Sequence, residues 1–132
     1  MPGPLELLLV RHGESVLGRA GRYAGHRDTP LTPRGRAQAA RLRSRLDRFR
    51  PDLVCSSDLR RCRDSAVLMA PGRPVRTSPR LRELDFGDWD GRAARSCRRL
   101  DPDRFDRWMR DPWSCRPPGG ESLARLWKRV RG

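Results

Sequence analysis

Arg11-His12-Gly13 sets a histidine between a cation and a residue with no side chain, directly after the apolar run Leu5–Val10. A neutral imidazole can attack phosphorus, and a guanidinium offers two parallel N–H donors to phosphate oxygens. Arg11, next in the chain, disfavours the imidazolium and so keeps the attacking lone pair free. The same three residues suit a plainer reading, a histidine hydrogen-bonded at a strand end beside a turn glycine. Ser15 likewise has two uses, as a donor to phosphate or as a cap for the turn that follows. Carboxylates gather later, at Glu83, Asp85, Asp88 and Asp90. A carboxyl can serve as a general acid or base beside such a nucleophile. On spacing alone these four are rivals for that work.

The elements around these residues read as an α/β chain. Leu5–Val10, broken only by Glu6, suits a buried strand of a parallel sheet, and RHGES then falls at its C-terminal end, where open α/β sheets bind ligands. Residues 18–30 are rich in Gly, Arg and Asp and read as a loop. Thr32 is an N-cap with Pro33 at the first helical position, and Ala39, Leu42, Leu46 and Phe49 recur as one apolar helix face that stops at Pro51. Leu53–Ser56 predicts a second strand, after which Ser57 or Asp58 can cap a helix running from Leu59 to Met69. Val75–Thr77 suits a third strand, and residues 81–91 a polar loop holding Phe86 and Trp89. Phe105, Trp108 and Met109 mark a short helix, Pro117–Gly120 a break, and Ser122 the start of a last helix to Arg131. Strand, helix, strand, helix in that order predicts a parallel sheet flanked by helices. Of Trp89, Trp108 and Trp113, at least two are expected in the core rather than lining a pocket.

Composition narrows the classes. A chain of 132 residues supports one domain with one modest core. The net charge is +14, and Lys128 is the single lysine among 30 basic residues. The arginines are scattered and form no run, arm or aromatic-interleaved patch, which argues against nucleic acid as the partner and fits anionic small molecules. No stretch approaches a membrane span and no signal peptide is apparent, so the expected place is the cytoplasm and no membrane partner is expected. Cys55, Cys62, Cys97 and Cys115 form no CxxC pair, which weakens a zinc reading and leaves reduced structural thiols as the expectation.

Five segments together carry a resemblance. RHGES at 11–15, GHRDTPLTPRGRAQA at 25–39, SSDLRRCRDSA at 56–66, LRELDFGDWDG at 81–91 and PPGGES at 117–122 resemble the histidine phosphatase superfamily, in that family's order. The resemblance implies a phosphoglycerate mutase-like fold, a three-layer α/β/α domain with a mostly parallel sheet. It implies hydrolysis of a phosphomonoester through a phosphohistidine on His12. Arg11 and Arg61 would clamp the phosphoryl group, with Arg60 and Arg63 as solvated helix residues. Glu83 would be the acid and then the base. Ser15, Tyr23, Gly25 and His26 would face the substrate, and Gly119 and Gly120 would shape a turn. No metal or other cofactor is implied, since arginines supply the positive charge. ELDFGDWDG, PPGGES and the compact insert between them most resemble the α-ribazole phosphatases, which act in cobalamin biosynthesis. Phosphoglycerate mutases and broad-specificity phosphatases share these segments and are the alternative, as is a catalytically impaired phosphate-binding fragment.

Two departures from the pattern bear on activity. Where the family carries a phosphate-holding asparagine after the first motif, this sequence has Gly18. The family also carries a second histidine on a strand after the GGES-type segment. The sequence reading therefore expects a single domain over residues 1–132 that lacks that strand and is incomplete at its C-terminus.

Overall fold

The computed structural model describes residues 3–132. Its elements are α1 (Val16–Arg19), α2 (Pro33–Arg41), α3 (Arg43–Phe49), β1 (Val54–Ser56), α4 (Arg60–Met69), β2 (Val75–Thr77), α5 (Ala94–Leu100), α6 (Pro102–Arg110) and α7 (Leu123–Arg131). Short 3-10 turns lie at Pro79–Leu81 and Gly87–Trp89. No helix among the described residues is long and apolar enough to cross a membrane.

β1 and β2 form a parallel pair in the register Val54↔Val75, Cys55↔Arg76 and Ser56↔Thr77. The crossover between them is α4, so β1–α4–β2 is a βαβ unit, with α2 packed on α4. The parallel α/β arrangement expected from the order of elements is thus present, built on a sheet of two strands among the described residues.

The strand expected at Leu5–Val10 is not one here. That segment carries no regular structure, and Leu5 and Leu9 are 92% and 83% exposed. A strand exists only by pairing its backbone with a neighbour. β1 pairs with β2 and no described strand lies beside Leu5–Val10, so the apolar pattern has no ladder to join.

Helix ends follow local chemistry where that chemistry is present. Thr32 Oγ1 accepts from the Gly35 amide at 3.0 Å with Pro33 at the first position of α2, and Ser122 caps α7 through the Arg125 amide. The helix expected to run to Pro51 is divided at Leu42, which ends α2 and begins α3, and Arg50 closes it in the left-handed conformation. α4 departs from expectation at its cap. Neither Ser57 nor Asp58 caps it; the Arg60 amide donates instead to Asp28 Oδ1 at 2.8 Å, across 32 positions of sequence. Asp58 is engaged elsewhere, in a two-point ion pair with Arg82 at 2.7 and 2.5 Å.

Two apolar clusters hold the chain. Ala39, Leu46, Met69 and Ala70 join α2 and α3 to α4. Leu84, Trp89, Cys97, Phe105 and Trp108 join the 81–91 loop to α5 and α6, with Tyr23, Phe86, Leu123 and Leu126 packed against them. Trp89 and Trp108 are core residues as expected, whereas Trp113 is exposed. The four cysteines are free thiols.

Candidate active site

His12 ends the extended segment and is half-buried. Its Nδ1–H donates to the carbonyl of Gly13 at 2.7 Å, which leaves Nε2 as the ring nitrogen with a lone pair. The loop is held from α4: the Gly13 amide donates to Ser65 Oγ at 3.0 Å, and Ser65 Oγ donates to the Arg61 carbonyl at 2.6 Å. It also lies hard against the start of α2. A Cβ on Gly13 would stand 2.1 Å from the carbonyl oxygen of Gly35, and one on Gly35 would stand 2.0 Å from that of Glu14. Only glycine allows so close a backbone approach.

Burial lowers the His12 pKa below its ordinary value, and the charges of Arg61 and Arg11 act in the same direction. The Gly13 carbonyl and the Glu83 carboxylate oppose them. The fold therefore brings Arg11, Arg61 and Glu83, three residues singled out in sequence, within electrostatic reach of His12.

Arg61 is 1% exposed. Its Nη2 donates to the carbonyls of Ala24 and Gly25, each at 2.8 Å, its Nη1 to that of Arg27 at 3.3 Å, and its Nε has no partner among the described residues. It thereby organises the 24–27 loop from α4. Arg60 and Arg63 are exposed, as expected of solvated helix residues, and so is Arg11.

Ser15 serves as the N-cap of α1, accepting from the Gly18 amide at 3.2 Å, so of its two readings the structure shows the capping one. The Gly18 amide is occupied by that contact.

The 81–91 loop brings Glu83 into the same electrostatic neighbourhood. Glu83 is exposed, and its Oε1 accepts from the Leu84 amide at 2.8 Å. His26 Nε2–H donates to the Glu83 carbonyl at 3.0 Å, and its Nδ1 lies 3.8 Å from Asp85 Oδ2. Gly25 is buried against this loop, where a Cβ would meet the Leu84 carbonyl at 2.5 Å. Its amide and that of Arg27 donate to the two carboxylate oxygens of Asp90, at 2.9 and 2.7 Å. Asp90 is thus occupied in joining the two loops. Tyr23 stacks on Phe86 with ring centroids 4.4 Å apart, and burial raises its hydroxyl pKa. Gly119 takes a φ of 69° in the turn expected of it.

A cavity of about 460 Å³ opens beside Arg11, His12 and Ser15, floored by Ala39, Leu42 and Met69. Arg61, Glu83, His26 and Tyr23 do not line it. Its apolar floor is poor chemistry for a phosphate, so the charged groups that act on His12, rather than this cavity, mark the candidate site.

Ser65, Asp28 and Asp90 were not foreseen in these roles. Each acts on a loop far from it in sequence, and a serine inside a helix or an aspartate in a polar loop carries no local sign of such a contact. Asp90 was visible only as a rival carboxylate.

Residues 7–132 match the family model described as histidine phosphatase superfamily, branch 1. This chain belongs to the histidine phosphatase superfamily. Relatives in that superfamily include the adenosylcobalamin/alpha-ribazole phosphatase of Salmonella typhimurium, 38% identical over 96% of this chain and 63% of that protein. Phosphoserine phosphatase 1 of Hydrogenobacter thermophilus is 36% identical over 97% of this chain and 62% of that protein. Among solved structures, the alpha-ribazole phosphatase of Shigella flexneri superposes with a TM-score of 0.86 at 38% identity, covering 92% of this chain and 61% of that one. The fold is therefore that of the phosphoglycerate mutase-like histidine phosphatases. This histidine phosphatase chain spans about six tenths of the length of these relatives.

Proposed function

We propose that this chain carries the site of a phosphomonoester hydrolase that works through a phosphohistidine on His12. The observation that supports it most is the state of His12, with Nδ1 tied to the Gly13 carbonyl and the imidazole kept neutral by burial, Arg61 and Arg11. In the first step His12 Nε2 forms a bond to phosphorus while the ester oxygen leaves with its electron pair and takes a proton from the Glu83 carboxyl. In the second, the Glu83 carboxylate takes a proton from water, the water oxygen bonds to phosphorus, and the P–N bond breaks to return neutral His12 and inorganic phosphate. Arg11 and Arg61, whose Nε has no partner among the described residues, hold the phosphoryl oxygens, and fixed cations at such oxygens favour the transition state. No metal is needed for this charge balance, and the partner is a small phosphorylated molecule rather than nucleic acid.

For substrate we infer α-ribazole 5′-phosphate, acted on in the cytoplasm. The support is the ELDFGDWDG and PPGGES segments and the relatives named for that activity. A broad-specificity phosphatase or a mutase-type transferase remains the alternative, since another relative of similar identity is named for phosphoserine. His12 and His26 are the two histidines of the sequence, and His26 is engaged at the Glu83 carbonyl.

The test is phosphate release from α-ribazole 5′-phosphate, 3-phosphoglycerate, phosphoserine and an aryl phosphate, each beside His12→Ala. Release that vanishes in the variant supports the reading and ranks the substrates. Release that persists in His12→Ala, or none from any substrate, overturns it.

A further inference from the structure

The carboxyl of Glu83 is exposed, and among the described residues its one hydrogen bond is from the amide of the next residue. Its own side-chain contacts therefore do little to fix where it stands relative to His12. An acid must lie within hydrogen-bond reach of the oxygen it protonates. The placement of Glu83 has to come from its backbone, and that backbone is gripped from the last helix.

Arg129, on α7, spreads its guanidinium across the segment that leads into Glu83. Nη1 donates to the carbonyls of Pro79 and Arg80 at 3.3 and 2.6 Å. Nη2 donates to those of Arg82 and Glu83 at 3.1 and 3.3 Å. The same guanidinium is paired with Glu121, Nη2 to Oε1 at 2.5 Å and Nε to Oε2 at 3.3 Å. Glu121 Oε1 in turn accepts from the Asp85 amide at 3.0 Å, on the far side of Glu83. One arginine–glutamate pair thus brackets the residue, holding its carbonyl from one side and the second amide after it from the other. The side chains of the pair are mostly buried, 22% and 13% exposed, and α7 is anchored by Leu123 and Leu126 in the aromatic cluster. A planar fork with five N–H donors can serve several carbonyls and a carboxylate at once, and an ammonium cannot.

We propose that Arg129, held by Glu121, is the positioning residue that sets the Glu83 carboxyl against His12. The proposal rests on the reading of Glu83 as the acid and base of the site. Arg129 itself touches neither substrate nor reacting atoms.

The Leu84 amide, which donates to Glu83 Oε1, is a built-in reporter. In the native 132-residue chain its NMR shift should follow the titration of Glu83, and that titration should vanish in Glu83→Gln. In Arg129→Met the amplitude should fall by half or more, while the Gly13 amide, bound to Ser65 Oγ, keeps its native shift. Arg129→Lys keeps a positive charge and a long stem, so it decides the matter if the methionine variant does not fold, and its amplitude should fall too. Where the chain turns over, Arg129→Lys should lower kcat roughly ten- to a hundred-fold with KM nearly unchanged. A native Leu84 titration in a folded Arg129 variant overturns the proposal, as does one that survives Glu83→Gln because His26, Asp85 or Glu121 governs it. Native phosphate release in Glu83→Gln sinks the role of Glu83 instead, and it does so independently of the amide result.

Discussion

His12 has one ring nitrogen tied to a backbone carbonyl, and its charged form is disfavoured by burial and by two arginines. The consequence can be followed with pH. The imidazole of the folded chain should stay neutral below the pH at which histidine in a short RHGES peptide protonates, as read from its Cε1–H shift. A titration that coincides with the peptide's would contradict the geometry. The same shift bears on stability with a definite sign. Below pH about 6.5 the unfolded chain takes up a proton on this histidine that the folded chain refuses. Its contribution to stability is therefore intact above that pH and is lost as the pH falls through the lower folded value. At this scale much was legible. The resemblance carried by SSDLRRCRDSA singles out Arg61 over Arg60 and Arg63, and it alone of the three is buried. Ser15 was open between two roles, because a hydroxyl after a glycine turn suits either until its partner is seen.

Thr32 shows how an element's end can serve the site. Its hydroxyl accepts from the Gly35 amide and donates to Glu14 Oε1 at 2.7 Å, so the cap of α2 also fastens the loop that carries His12. Thr32→Ala should cost about 0.5–2 kcal/mol, the range for losing an N-cap, and lower Tm by a few degrees. Thermal unfolding followed by circular dichroism would show it, and an unchanged Tm would mean the cap is idle. This end was readable because Thr-Pro is a local signal. The cap of α4 was not, since its acceptor, Asp28, comes from a remote loop while the adjacent Asp58 is drawn to Arg82. Leu5–Val10 reads as a strand and forms none here for a related reason. An apolar run states that a segment can be buried, and only a neighbouring strand makes it a strand.

Across the whole molecule, stability divides between two apolar clusters, and the aromatic one carries the 81–91 loop. Trp108 sits at its centre, with ring centroids 5.4 Å from Trp89, 6.0 Å from Phe105, and 6.1 Å from both Tyr23 and Phe86. Trp108→Ala should remove about 3–5 kcal/mol, a large part of the roughly 5–15 kcal/mol that holds a domain of this kind. Urea unfolding should show a much lower midpoint, and a loss under about 1 kcal/mol would place the core elsewhere. The α/β order was legible in the alternation of apolar runs, and the second cluster partly so in its tryptophans. What joins the halves was not: Asp90 and Arg129 look in sequence like any surface charge.

Gly13 and Gly35 press their backbones together where the His12 loop crosses the start of α2, and a Cβ on either would fall about 2 Å from a carbonyl oxygen. Every missense change in a glycine codon installs such an atom, and at these positions it meets backbone, which cannot swing aside as a side chain can. In a population of variants the two sites would be bare columns, emptied together. A lineage could trade its substrate by altering the loops beyond them, but it would inherit this crossing unchanged.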